Sequence, residues 1–156
     1  MTNNKFTFLY IRITEKDVAS GDGELQGRAL AQWCTQNQIK NFQIFADRGA
    51  TKLTDERPAF ERMVAKLKLG ECANLVVLSL DRIARSKSEL SQTLETVRSH
   101  YVRFISLQDQ MDTKSTLSIL TFLEALMKME KAVIGERLQA GRKKAPVSPD
   151  QGGISL

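Results

Sequence analysis

Histidine is nearly absent from this chain, with His100 the only one in 156 residues. A lone histidine argues against a Ser–His–acid triad and against a histidine-rich metal site. Cysteine occurs twice, at Cys34 and Cys72, with no second cysteine near either. No disulfide framework or cysteine-based metal site follows, and a reducing, cytoplasmic compartment is the simplest expectation. No apolar run approaches membrane-spanning length and residues 1–5 are polar, so neither membrane insertion nor secretion is expected. The glycine-rich phosphate loop G-x-x-x-x-G-K-[ST] is missing too, which weakens the case for a small phosphorylated ligand.

What is present describes a globular domain with room for a core: 42% hydrophobic and 26% charged residues. The formal charge of +5 is compatible with a nucleic-acid partner. Residues 6–13 are rich in strand formers and predict a first strand with Arg12 and Thr14 at its carboxyl end. Residues 15–24, containing Ser20-Gly21-Asp22-Gly23, predict a mobile polar loop. Leu25, Ala29, Leu30 and Trp33 then recur at helical spacing to about Gln36, which makes Trp33 a core residue rather than a stacking platform.

A short second strand over 42–46 ends at Asp47, and 48–56 predicts another polar loop. Arg57-Pro58 starts a helix, since proline suits the first helical turn. Phe60, Met63, Val64 and Leu67 share one face of it, and Gly70 marks its end. Leu75-Val76-Val77-Leu78 predicts a buried strand, and Ser86 caps a helix in which Leu90, Leu94 and Val97 repeat. Residues 102–107 predict a fourth strand. Between the third strand and its helix lies Asp81-Arg82-Ile83-Ala84-Arg85. Two arginines three residues apart beside an acid suit an anion held in forked hydrogen bonds, most simply a phosphate. The alternative is an Asp–Arg pair closing a surface turn.

Alternating strands and helices predict an α/β fold, an open and mostly parallel sheet of four or five strands flanked by helices. Such sheets bind ligands at the carboxyl ends of their strands, where Arg12, Thr14, Asp47, Asp81 and Arg82 converge. From residue 116 to about 140, Ile119, Phe122, Leu123, Leu126, Met129, Val133 and Ile134 recur at helical spacing. They predict one amphipathic helix of roughly 35 Å at about 1.5 Å per residue. Its length and its methionines suit a partner helix across an oligomer interface, the alternative being an ordinary core helix. The expected organisation is an α/β domain over 1–115, the long helix over 116–144 and a flexible tail over 145–156.

Over residues 8–145 the chain resembles the catalytic domain of the serine site-specific recombinases, the resolvase/invertase family. Tyr10-Ile11-Arg12-Ile13-Thr14 is similar to the family's opening Tyr-x-Arg-Val-Ser, whose serine is the nucleophile. Leu25-Gln26 with Arg28-Ala29-Leu30 resembles the start of its first helix, and Asp47 with Arg57-Pro58 its second strand and following helix. Leu80-Asp81-Arg82-Ile83-Ala84-Arg85-Ser86 is similar to its motif Leu-Asp-Arg-Leu-x-Arg-Ser. Phe104-Ile105-Ser106-Leu107, Asp112-Thr113 and Glu136-Arg137 complete the series in order.

The resemblance implies site-specific DNA recombination, in which a hydroxyl attacks a DNA phosphodiester and leaves a covalent protein–DNA link. Bond energy is stored in that link, so no cofactor or metal is expected. Thr14 would be the nucleophile, and Arg12, Arg57, Arg82 and Arg85 would hold the scissile phosphate, with Arg137 reaching in from the long helix. Clustered guanidiniums suit the negative charge gained in such a transition state. Asp81 would orient an arginine or handle the leaving group's proton, Asp47 would position the arginines, and Gln26 would be a polar positioning residue near the phosphate. Arg142, Lys143 and Lys144 would track DNA phosphates or enter a minor groove. The implied partners are DNA and further copies of the chain, a homodimer assembling to a synaptic tetramer, with sequence read by a separate domain or protein.

Three positions depart from the family pattern: Thr14 stands for the serine, Val18 for a glutamine, and Thr51 for a second serine. Ser20 lies too far beyond the strand end to replace the nucleophile. These departures motivate a second reading, a non-catalytic relative that binds DNA as a regulator or accessory subunit.

Overall fold

The structure is a computed structural model describing residues 4–48, 56–115 and 127. Its elements run β1 (Phe6–Ile13), α1 (Glu15–Ser20), α2 (Gly23–Gln36), β2 (Phe42–Arg48), α3 (Pro58–Lys68), β3 (Cys72–Val77), α4 (Leu80–Ile83), α5 (Lys87–Ser99), β4 (Arg103–Ser106) and β5 (Met111–Asp112). The five strands form one sheet in the order β2-β1-β3-β4-β5. The first four are parallel, and β5 pairs antiparallel with β4.

Side chains alternate across the sheet and build a core on each face. Phe8 and Tyr10 of β1 join Phe45, Leu75, Val77 and Phe104 on one face, under Met63 and Leu67 of α3 and Leu90 and Val97 of α5. Leu9, Ile11 and Ile13 join Val76 and Ile105 on the other, under Leu30 and Cys34 of α2, with Trp33 packed partly buried beside them. Continuous apolar burial of this kind is what a parallel sheet covered on both faces requires. β1, paired with β2 and β3 and buried over most of its length, is an interior strand of it.

The polar stretch after β1 is the main departure from expectation, because residues 15–20 form a helix instead of a loop. Thr14 and Asp17 make a reciprocal capping box, and Gly21, at φ 76°, ends the helix in the left-handed region that favours glycine. A helix of six residues is under two turns and shows no apolar period, so its capping pair is its only sequence signal. Asp81 and Arg82 lie on the single turn α4 just past β3. Gly70, at φ 84°, follows the α3 cap, and Ser86 Oγ accepts the Glu89 N–H at the start of α5. Of the long helix only Met127 is described; the rest of it, the tail, Arg137, Arg142, Lys143, Lys144 and Thr51 lie outside the described residues.

Candidate active site

The carboxyl ends of β1 and β3 and the starts of α1, α3 and α5 meet at one end of the sheet. Arg12 leaves β1 there level with Asp47 of β2. Its Nη2 donates to the Asp81 carbonyl, while its Nε is buried and has no acceptor among the described residues. Burial lowers the Arg12 pKa from its ordinary value, and the neighbouring charges of Arg57 and Arg82 push the same way. Three guanidiniums thus crowd one end of the sheet, and such a cluster favours an anion among them.

Arg57 occupies the N-cap position of α3 and is 6% exposed. Its Nη1 donates to the Ile83 carbonyl at 2.8 Å, Glu89 lies 3.8 Å from its Nη2, and its guanidinium stacks 4.0 Å from the centre of the Phe60 ring. Arg85 Nη2 donates to Glu89 at 2.9 Å, and the Arg85 amide reaches the same carboxylate at 2.8 Å. Burial pushes the Glu89 carboxyl up, but the Arg85 bonds and the Arg57 charge outweigh it and hold it below the usual range.

Arg82 forks onto Asp17, Nη1 to Oδ2 at 2.5 Å and Nη2 to Oδ1 at 2.8 Å, and its Nη1 also reaches the Arg12 carbonyl at 3.1 Å. The same Asp17 Oδ2 accepts the Thr14 hydroxyl at 2.8 Å and the Thr14 amide at 2.7 Å. The Arg82 fork is the chief reason that the Asp17 pKa falls to about 2, with the Thr14 bonds adding to it. Thr14 Oγ and Arg82 are therefore two hydrogen bonds apart through one carboxylate.

The structure thus gathers Arg12, Thr14, Arg57, Asp81, Arg82 and Arg85, and shows the partners of Asp47, Gln26 and Asp81. Asp47 bonds to no arginine among the described residues: its oxygens take the Tyr10 hydroxyl at 2.7 Å and the Ala59 and Phe60 amides at 2.8 and 3.0 Å, which caps α3. It fixes Arg57 only through the backbone of the helix that follows. Gln26, 1% exposed, spends its amide on the Arg12 main chain, accepting from the N–H at 3.2 Å and donating to the carbonyl at 2.8 Å. It splints β1 under the site, leaving its carbonyl and amide ends committed to backbone. Asp81 orients Arg12 through its carbonyl, while its carboxylate takes the Ser79 hydroxyl.

Asp17 and Glu89 are the site residues that sequence reasoning missed. Their signals were the three-residue spacing of Thr14 to Asp17 and of Ser86 to Glu89, each a side chain that can reach back to a helix start. Val18, the next residue, is 69% exposed and faces away from the core.

Residues 7–147 match the family model described as "Resolvase, N terminal domain". The chain is 35% identical over 100 residues to the Transposon Tn917 resolvase of Enterococcus faecalis, covering 63% of this chain and 53% of that protein. It is 34% identical over 134 residues to the serine recombinase gin of Escherichia phage Mu, covering 85% of this chain and 63% of that one. The chain therefore spans between about half and just under two thirds of these curated relatives. A resolvase family site-specific recombinase from Streptococcus pneumoniae shares the fold, with a TM-score of 0.66, 23% identity, and 88% and 95% of the two chains covered.

Proposed function

We propose a function from the premise that this chain belongs to the resolvase family: it cuts and rejoins DNA through the Thr14 hydroxyl. The observation that carries this reading is the convergence of Arg12, Arg57 and Arg82 at one end of the sheet, with Arg82 joined to that hydroxyl through Asp17 and a buried Arg12 Nε lacking an acceptor among the described residues. Thr14 Oγ attacks the phosphorus of a phosphodiester and gives up its proton. The bond from phosphorus to one deoxyribose oxygen breaks, that oxygen takes a proton, and a protein–DNA phosphodiester remains. Attack on that link by another strand's hydroxyl reverses the chemistry and joins new partners.

The pentacoordinate transition state carries extra negative charge on its non-bridging oxygens. Guanidiniums held in place beforehand stabilise it without reorganising, and removing one such donor from a site costs about 10²–10³ in rate. Arg12 and Arg57 are tied to main-chain carbonyls, so their positions are set by β1, α3 and α4. Asp81, exposed at the site, is placed to exchange the proton of the leaving oxygen. In its assembled form the chain acts as a homodimer that pairs into a tetramer on DNA, a reading supported by family membership and by the amphipathic repeat over 116–140.

The test is denaturing electrophoresis of the protein with suicide DNA substrates carrying candidate sites. A covalent adduct is expected from wild type, a stronger one from Thr14→Ser and none from Thr14→Ala. An adduct of unchanged strength from Thr14→Ala would overturn the assignment of the nucleophile. Reaction by Thr14→Ser alone would favour the regulatory reading for the natural chain.

A further inference from the structure

Three donors converge on a single oxygen of Asp17, namely the Thr14 amide at 2.7 Å, the Thr14 hydroxyl at 2.8 Å and Arg82 Nη1 at 2.5 Å. The other oxygen takes Arg82 Nη2 at 2.8 Å. An arginine fork combined with a hydroxyl is a donor set that a phosphate's oxygens also satisfy, and here a carboxylate fills it from within the chain. Asp17 is 5% exposed, so this is an inner contact and not a solvated rim pair.

Building on the phosphodiester reading above, we propose that Asp17 is a further positioning residue of this site. Its carboxylate occupies the anion seat of Arg82 and Thr14 in the free protein and releases Arg82 to the DNA phosphate when the strand enters. Two considerations carry this. A phosphodiester and a carboxylate bear the same charge, and both Arg82 nitrogens that a phosphate would use in a fork are already given to Asp17. One anion must leave before the other is bound, because two like charges on one fork repel. Thr14, by contrast, keeps its own bonds to Asp17, so the exchange frees the cation while the hydroxyl retains an acceptor.

The glutamine expected in the opening motif corresponds to Val18, which points to solvent, whereas the acid one residue earlier meets the hydroxyl. The exchange also links events, since Arg82 is the main influence depressing the Asp17 pKa and its departure returns the carboxylate toward ordinary basicity beside the hydroxyl.

The experiment titrates isotope-labelled wild-type protein and Asp17→Asn with inorganic phosphate at constant ionic strength, following the Arg82 Nη resonances, with thermal melts to establish folding. Asparagine keeps an oxygen for the Thr14 donors and removes the charge. In wild type, phosphate is expected to shift the Arg82 signals away from their carboxylate-paired positions. Asp17→Asn is expected to bind phosphate about tenfold more tightly, or better, a difference of about 1.4 kcal/mol. Arg82 signals in wild type that ignore bound phosphate overturn the exchange, and so does equal or weaker affinity in a folded Asp17→Asn. If neither protein binds phosphate or a short DNA duplex, the phosphodiester reading itself fails, and the exchange with it.

Discussion

A methyl group separates Thr14 from the serine of its relatives, and its effect can be placed on a scale. Threonine keeps the nucleophilic oxygen but restricts χ1 and crowds in-line attack. If the methyl costs about 1–3 kcal/mol, as overpacking usually does, Thr14→Ser should speed adduct formation by roughly fivefold to 150-fold. Quenched-flow measurement of the adduct gives that ratio directly. At Asp17 the residue scale governs acid stability. Its carboxyl sits at about 2 in the folded protein against an ordinary 3.8, so its contribution is complete above about pH 4 and is lost as pH falls toward 2. Urea denaturation at about pH 6 and about pH 2 should therefore show a fall in stability that is about 2 kcal/mol smaller for Asp17→Asn than for wild type.

At the scale of elements, Gln26 shows how a helix serves a strand. It is buried in α2 and grips both main-chain polar groups of Arg12, the residue that carries a guanidinium into the site. Gln26→Ala strips those groups of a buried partner and should cost about 1–3 kcal/mol in chemical denaturation. Because β1 would lose its splint next to the site, adduct formation should slow more than the stability loss alone accounts for. The sequence made α3 and α5 legible, since Arg57-Pro58, Gly70 and Ser86 punctuate clear apolar periods. It concealed α1, whose six residues are too few for a period and which Gly21 and Gly23 follow at once, as they would in a loop. Gln26 and Asp47 were recognised as important, but their partners were not legible, because a polar residue's type does not disclose whether it will meet a ligand or a backbone.

For the whole molecule, the parallel sheet followed from the alternation of β-branched runs with helical periods, and its polar end from the residues at three strand ends. What the alternation could not supply was the pairing of charges across elements. The fork of Arg82 on Asp17 spans 65 residues, and no spacing rule reaches that far. Asp17 and Glu89 hold Arg82 and Arg85, pairings that no expectation from the sequence included.

The interior place of β1 sets two clocks in this site. Arg12 extends from a strand that is hydrogen-bonded on both edges over residues 6–9, and its own main chain is held by β2 and Gln26, so the amides of that double-paired stretch open only with the fold as a whole. Thr14, one residue past the β1–β2 ladder, caps a six-residue helix of which Asp17 alone is buried. Amide hydrogen exchange should show Leu9 and Tyr10 among the slowest positions and Val18 and Ala19 among the fast, by several orders of magnitude. The guanidinium is then carried by a slowly opening frame and the hydroxyl by a quickly opening one, so the segment that bears the hydroxyl can rearrange while the charge beside it stays in place.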